Sequence, residues 1–573
     1  MRTRPMALYR NKLLSPCKSF TACVLLCNNI SRQPRLHNGT ETLSSSVKQV
    51  SKTSEVDERA AALVTNASAV SAIASAVEGT LGPKGLDCML VDKFGDVTVT
   101  NDGATILDKI DTSHPAARML IRTARAQEEE IGDGTTTTTI LASTMISEGA
   151  AHVSRGVPVT RVIEGIRLGV KEAAAFIESQ SRRIDSLDSE LLERVAAVAA
   201  RGNRDVAALV VEAARLVGRE WLSDRGHRLS DAIVAKEGAE SGVFAGMIVE
   251  KQRLSRQMPR SVENCAVLVV DDTLEPPQVE DDALATESGF ARHLALQEEF
   301  RANIGKIIEM GVRFVAVAKG VDPVAEELFT DAGVMCIRRL SSKDVAKLVE
   351  VTGAHTIKRS GIKKTKDELR GFLGCCEGVY EDERLDHIRV LGAPGSSVAT
   401  ILVGASTREV KEERQRIAQD AAGALQAAVQ TGVVPGGGAV EIGAARRVQA
   451  LRETIRGMSA YGVDAVAAAL RKPLSQIAAN AGFNPLEKVE EVSAAQNESQ
   501  DCALAVDCDS GELANMIELG VVDPTGVKLY ALRAASEVAE AILRISTIIR
   551  KREESGAQPR QAAANQGEWT EEQ

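Results

Sequence analysis

Apolar residues recur at helical spacing between Glu58 and Glu78, at Ala61, Leu63, Val64, Ala67, Val70, Ile73 and Val77. That period predicts an amphipathic helix. It breaks at Gly79-Thr80-Leu81-Gly82-Pro83-Lys84-Gly85, a run that no helix interior tolerates. Met89-Leu90-Val91 and Val97-Thr98-Val99-Thr100 flank a Gly95-Asp96 turn and predict a hairpin. Asn101-Asp102-Gly103 ends its second strand in another turn. Long amphipathic helices are expected next, from Pro115 to about Ile131 and from Thr137 to about Arg155.

Between about Ser181 and Gly238 the period stays helical, including Ser189 to Ala200 and Asp205 to Val217. It then changes. Val243 to Val249, Ala266 to Val270, Phe314 to Val317 and Val334 to Ile337 are short apolar runs with helical segments between them, the pattern of an α/β domain. A long charged stretch from Thr273 to about Leu294 interrupts it and leads into a helix ending at Met310. Insertions of that length are uncommon unless they have a function. Beyond Val398 the helical period returns, from Thr407 to about Thr431 and from Gly436-Gly437-Gly438 to about Arg452. The last helix is expected from Pro524 to Arg550. The order is helical block, α/β insert, helical block. It implies a multidomain α and α/β fold whose outer halves close on each other while the middle projects.

Composition narrows the class. A chain of 573 residues exceeds one compact core. Its 44% apolar and 26% charged residues are a globular balance, and 3% aromatics suits helices packed through small aliphatic side chains. The net charge of −10, with no long basic cluster in the body, argues against nucleic acid as the main partner. No apolar run is expected to reach transmembrane length. Ten cysteines are scattered without paired C-x-x-C knuckles, which reads as free thiols in a reducing compartment. Residues 1–40 carry Arg2, Arg4, Arg10, Lys12, Lys18, Arg32 and Arg35 and no acid. They read as an organelle transit peptide or as an upstream extension foreign to the fold, whose pattern begins near Val56. From about Lys551 a disordered tail is expected.

The chemistry concentrates in glycine-rich loops. Gly132-Asp133-Gly134 precedes five threonines, Thr135 to Thr139, that run into Ile140-Leu141-Ala142. Glycines let backbone N–H groups approach an anion, and a helix start favours phosphate. Asp133 would repel that phosphate unless a cation lay between them, so the segment reads as nucleotide with Mg²⁺, or else as a capped solvent turn. Gly82-Pro83-Lys84-Gly85, Asn101-Asp102-Gly103 and Val433-Val434-Pro435-Gly436-Gly437-Gly438 are companion loops of the same kind. There is no G-x-x-x-x-G-K-[ST], no H-R-D loop and no D-F-G.

Taken together and in this order, these loops resemble those of the chaperonins, ring-forming ATPases that enclose unfolded protein. The resemblance runs through Thr80 to Gly85, Thr100 to Ile106, His114 to Met119, Gln127 to Ile140, Val433 to Glu441 and Gly520 to Thr525, and covers about residues 56–552. Thr100-Asn101-Asp102-Gly103 and Val434-Pro435-Gly436-Gly437-Gly438 are spelled as in the group II branch, that of thermosomes. Val522-Asp523-Pro524-Thr525 is closer to group I. Asn203 stands where many group II members carry a lysine that senses the γ-phosphate, which leaves Arg201 or Arg204 for that task. The mixture resembles the bacterial group III chaperonins.

The resemblance implies a fold and a mechanism. Residues 55–180 and 431–552 would form a helical equatorial ATPase domain, 181–238 and 398–430 a small intermediate domain, and 239–397 an α/β apical domain. The insert at about 273–294 would be a helical protrusion, a built-in lid that makes a separate co-chaperonin unnecessary. Residues 1–54 and 553–573 would lie outside the fold. Asp133 would ligate Mg²⁺, while Gly134, Thr135, Thr136 and Thr137 would hold phosphate oxygens. Leu81, Gly82 and Pro83 would line the α-phosphate and base side of ATP, Gly437 would meet the ribose, and Asp523 would accept from its hydroxyls. Asp420, in Gln419-Asp420-Ala421, would be the catalytic carboxylate, and Asp102 would help place the attacking water. Partners would be unfolded proteins and further copies of the chain in a stacked double ring, with neither nucleic acid nor membrane. The location would be the cytoplasm, or an organelle if residues 1–54 are a transit peptide. A chaperonin-like scaffold with little ATP turnover is the competing reading.

Overall fold

The structure, a computed structural model, describes residues 48–51, 54–57, 59–95, 97–278, 286–392 and 398–551. The basic segment 1–40, the expected tail beyond 551 and the central part of the insert lie outside them. Strands β1 (Lys48–Ser51) and β2 (Ser54–Asp57) pair antiparallel, so the chain is already in strand ahead of Val56. Helix α1 (Arg59–Val77) follows. By length and hydropathy it could cross a bilayer, contrary to expectation. Here Leu63, Val70, Ile73 and Val77 are instead buried in the core that α1 shares with the helices after it.

The hairpin forms as expected, with β3 (Cys88–Val91) antiparallel to β4 (Val97–Thr100). The turn expected after β4 is in fact the start of a short helix, α2 (Gly103–Lys109). Helices α3 (Pro115–Ile131), α4 (Thr135–Ser154) and α5 (Val159–Ser179) complete the first block. Helix α4 opens at Thr135 rather than Thr137, because left-handed Gly132 stops α3 and left-handed Gly134 caps α4. Helices α6 (Glu190–Ala199) and α7 (Arg204–Ser223) follow.

The middle of the chain builds a mixed sheet from β5 (Ile233–Glu237), β6 (Gly242–Val249), β7 (Ser261–Val270), β8 (Val312–Val317), β9 (Met335–Ile337), β10 (Gly374–Asp382), β11 (His387–Leu391) and β12 (Ala399–Ala405). Among the described residues its order is β5-β12-β6-β11-β10-β7-β8-β9. Strands β7, β8 and β9 run parallel, as do β5 and β12, while the central pairs are antiparallel. Between β7 and β9 lie α8 (Glu287–Glu309) and α9 (Pro323–Asp331); α10 (Ser342–Thr352) and α11 (Lys366–Arg370) follow β9. The interior of this region packs on both faces of the sheet, with Phe314 and Leu348 on one and Phe300 and Phe329 on the other.

Helix α12 (Arg408–Thr431) leads back to strand β13 (Val433–Pro435) and helices α13 (Ala439–Thr454), α14 (Ala460–Asn480) and α15 (Pro485–Ser499). A hairpin, β14 (Leu504–Val506) and β15 (Leu513–Asn515), precedes α16 (Met516–Leu519), β16 (Val522–Pro524) and α17 (Thr525–Leu543). The last helix therefore stops at Leu543, not Arg550. The chain turns into β17 (Ile548–Lys551), which pairs with β2 and ties the two ends of the described chain together.

One apolar interior joins α1–α5 to α13, α14 and α17, so the outer halves of the sequence share a core. A second joins α6 and α7 to β12, α12 and β16. The candidate site lies where these two interiors meet.

Candidate active site

Gly132-Asp133-Gly134 turns the chain from α3 into α4. Gly132 (φ 78°) and Gly134 (φ 86°) occupy the left-handed region, which only glycine enters without strain. A Cβ on Gly134 would stand 2.7 Å from Val527 Cγ1 of α17 and 3.0 Å from Gln127 Nε2 of α3. The turn is thus clamped between the two ends of the sequence. Gln127, fully buried, donates from Nε2 to the Asp133 carbonyl at 2.7 Å, and the Gly134 N–H donates to Asp133 Oδ1 at 2.6 Å. Thr138 and Thr139 donate their hydroxyls to the Gly134 and Thr135 carbonyls at 3.0 and 2.9 Å. Among the described residues, Thr135, Thr136 and Thr137 make no such bond. They occupy the first turn of α4, whose N–H groups have no intrahelical partner.

Asp102 stands beside this turn. It caps α2, its carboxylate accepting from the Ala104 N–H at 3.2 Å and from the Thr105 N–H and hydroxyl at 2.9 and 2.6 Å. Its neighbour Gly103 must be glycine, because a Cβ there would lie 2.4 Å from Thr136 Oγ1 and 2.9 Å from Thr135 Oγ1.

The other loops come from further away in sequence. Asp523 in β16 faces Val434 in β13, and a Cβ on Gly436 would lie 3.0 Å from Asp523 Oδ2. Gly437 (φ 63°) abuts Met516, and Gly438 abuts Leu474 on α14. On that same helix, Ile477 Cγ1 stands 3.1 Å from where a Cβ of Gly82 would be, and Asn480 Nδ2 donates to the Leu81 carbonyl at 2.8 Å. Leu474, Ile477 and Asn480 recur at helical spacing, so one face of α14 seats both glycine loops. Pro83 lies in a turn closed by the Gly85 N–H donating to the Gly82 carbonyl at 3.0 Å.

Asp420 reaches this group on α12. A Cβ on Gly423 would meet the Ile131 carbonyl at 2.7 Å, so α12 and the Gly132 turn approach backbone to backbone. Arg201, at φ 53° in the loop before α7, meets the Asp420 carboxylate at 3.3 Å and Glu413 Oε1 at 3.4 Å, and also donates to Asn101 Oδ1. Asn203 donates its amide to the Ala200 carbonyl at 2.9 Å, so it holds its own loop. Of the two arginines left open by the sequence, Arg201 is the one engaged with this carboxylate group.

The site is short of positive charge. Burial pushes Asp133 up to about 6, Asp523 adds to this, and the Gly134 N–H, Lys528 and Arg201 oppose it. Burial likewise raises Glu128 to about 7, with Asp102 and Asp133 adding to it. Asp420 is held well above the usual carboxylate range by burial against Arg201, with Glu128, Asp102 and Asp133 raising it further. A cation would relieve all of these at once. Among the described residues no three His, Cys, Asp or Glu side chains converge as a ready metal cage. Asp133, one carboxylate beside the free first turn of α4, is the kind of donor magnesium takes, since that ion uses one or two carboxylates and draws further oxygens from phosphates.

Two participants escaped the reading of the sequence. Glu128 sits in a run of acids that reads as a solvated helix face. Lys528 Nζ lies 2.7 Å from both Asp523 Oδ2 and Glu441 Oε1. Burial lowers its pKa, but the two carboxylates more than offset that and keep it protonated. The available signal was its spacing, one helical turn after Thr525.

Comparison with known proteins agrees with this arrangement. Residues 73–553 match the TCP-1/cpn60 chaperonin family. The chain is 34% identical over 508 residues to a thermosome subunit of Methanopyrus kandleri, covering 85% of this chain and 92% of that one. Thermosome subunit alpha of Archaeoglobus fulgidus is 34% identical over 505 residues, covering 84% and 91%. A crystal structure of a group III chaperonin in the open state is similar at a TM-score of 0.78 and 42% identity, covering 86% of this chain and 99% of that one. The chain belongs to the TCP-1/cpn60 chaperonin family.

Proposed function

We propose that the loops around Gly82, Asp102, Asp133, Gly437 and Asp523 form one Mg-ATP site and that Asp420 is its catalytic carboxylate. Family membership makes the chain an ATP-dependent chaperonin and an ATPase, one that binds unfolded proteins and assembles into rings. The observation that carries the finer reading is that Gly103, beside Asp102, packs against the Thr135 and Thr136 hydroxyls in the free first turn of α4, while Gly423, on the helix of Asp420, packs against the Gly132 turn.

In this reading Thr135, Thr136 and Thr137 hold phosphate oxygens through N–H and hydroxyl donors, and Leu81, Gly82 and Pro83 line the α-phosphate and base side. Gly437 offers flat backbone to the ribose, whose hydroxyls donate to Asp523. Asp133 would hold magnesium, which when bound neutralises phosphate charge. Asp102, fixed by its three capping bonds, helps place the water. Asp420 orients that water and takes its proton, and a raised pKa suits a carboxylate acting as base near neutral pH. In this reading Arg201, which contacts Asp420, meets the γ-phosphate end in place of the lysine that many group II members carry. Nothing favours a scaffold without turnover, since Asp102, Asp133 and Asp420 are all present.

The shared interiors support a three-part division: an equatorial domain of residues 55–180 and 431–552, an intermediate domain of 181–238 and 398–430, and an apical domain of 239–397. Within the apical domain the insert at about 273–294 acts as a built-in lid, so no separate co-chaperonin is needed. Its second half begins α8 and exposes Phe290 and Leu294, while residues 279–285 lie outside the described ones. The assembly is a stacked double ring of identical chains in the cytoplasm. Titrating ATP into wild type and Asp133→Asn with and without magnesium tests the site. Magnesium should tighten binding to wild type alone, and equal magnesium dependence in both would overturn the assignment.

A further inference from the structure

Cys265 and Cys376 stand opposite each other on the neighbouring antiparallel strands β7 and β10. Their sulfurs are 3.1 Å apart, and both residues are only 3% exposed. Directly opposed residues of an antiparallel pair have Cα atoms about 4.5–5.5 Å apart, inside the range of about 4.4–6.8 Å that a disulfide requires. Closing the bond to about 2.05 Å therefore needs a sulfur movement of roughly 1 Å. The ladder has slack at this point. Asn264, next to Cys265, has a left-handed φ of 45°, and the regular pairing skips from Cys376↔Cys265 to Gly378↔Glu263.

We propose that Cys265 and Cys376 form a reversible disulfide when the chaperonin meets a hydroperoxide, a modification site in the apical sheet remote from the nucleotide loops. The chemistry has a direction. The two sulfurs share one hydrogen bond in which either thiol can donate; that contact lowers the pKa of Cys265 and raises that of Cys376, and in this proposal Cys265 attacks first. It takes one peroxide oxygen as the O–O bond breaks, leaving a sulfenic acid, and the departing hydroxide becomes water on protonation. Cys376 then attacks that sulfur and expels the second hydroxide, which becomes water with the thiol proton. Two thiols and one hydroperoxide give one disulfide and two waters, or water and an alcohol from an alkyl hydroperoxide. A dithiol reverses the step by exchange. Cys336 on β9 faces Val315, so among the described residues it has no partner thiol opposite it, and burial raises its pKa. Cys375 is exposed, but it points to the opposite face of β10 from Cys376.

The test uses the assembled full-length protein. Cys375 and Cys376 share a tryptic peptide, so the parent is Cys375→Ser, which changes an exposed side chain. The native protein is treated with hydrogen peroxide, blocked with iodoacetamide, digested without reduction and read by mass spectrometry. The expected result is a linked peptide pair joining Cys265 to Cys376, about tenfold above the untreated sample. It should vanish with dithiothreitol and fail to form when Cys376→Ser is added. Recovery of both cysteines as separate alkylated peptides, while the partly exposed Cys88 and Cys502 are oxidised, would overturn the proposal. So would a linked pair that forms only after the protein is unfolded, a result read from the parent alone.

Discussion

Arg201 Nη2 lies 3.3 Å from Asp420 Oδ2, joining a loop before α7 to a carboxylate on α12. The same guanidinium bonds Asn101, beside the Asp102 cap. One cation thus spans the boundary between the two apolar interiors at the point where ATP chemistry is proposed. Without it, Asp420 faces Glu128, Asp102 and Asp133 unopposed. Arg201→Ala should therefore raise the Asp420 pKa further. Because the ionised carboxylate accepts the water proton, the acidic limb of the kcat–pH profile should move to higher pH. Arg201→Lys should restore most of it. An unmoved profile in Arg201→Ala would separate the arginine from the chemistry.

Asp133 carries a linkage prediction of opposite sense to the usual surface carboxylate. Its pKa rises from 3.8 unfolded to about 6 folded, so the folded protein binds more protons across that window. Stability must then fall as pH rises from about 4 to about 6, by up to roughly 3 kcal/mol at this group. Unfolding midpoints in EDTA should drop over that range in wild type and drop less in Asp133→Asn. Magnesium nucleotide should flatten the wild-type curve.

Gly103 is a steric requirement of the site. An added methyl would press on Thr136 and Thr135 hydroxyls that are proposed to hold phosphate. Overpacking typically costs ~1–3 kcal/mol, so Gly103→Ala should weaken ATP binding by roughly 10–100-fold. Calorimetric titration with ATP checks this, and unchanged affinity would detach the Asp102 loop from the phosphates.

Lys528 sits between Asp523 and Glu441, both largely buried. Lys528→Met leaves two carboxylates without their cation and should cost about 3 kcal/mol or more. Adding Glu441→Gln should recover part of the stability. Nucleotide affinity should stay low in the double variant, because Asp523 still lacks the group that orients it. Urea unfolding and ATP titration of both variants distinguish the two effects.

How much of this was legible in the sequence follows from where each signal lives. Helix α3 ends where its period and Gly132 predicted, since both cues are local. Helix α2 begins at the end of the turn expected at Asn101-Asp102-Gly103, and Gly103–Lys109 is too short to display a period. The last helix was carried too far because Ile548–Ile549 continues an apolar pattern that β17 uses instead. In the site, the glycine loops were legible because their backbone geometry demands glycine. Glu128 and Lys528 were not, because a charge on a helix looks solvated until a distant segment covers it. For Lys528 that partner is Glu441, on a helix from another part of the chain. Arg201 and Arg204 could be separated only by the left-handed turn that sends Arg201 toward Asp420.

The most direct measurement is steady-state ATP turnover at saturating Mg-ATP by wild type and Asp420→Ala, with nucleotide affinity measured alongside. The site proposed here predicts that turnover falls by ~10²–10⁴-fold, the usual contribution of a positioned general base, while affinity stays within a few-fold. Turnover equal to wild type in a variant that still binds ATP would contradict the assignment of Asp420 and, with it, an ATP site completed from both halves of the chain.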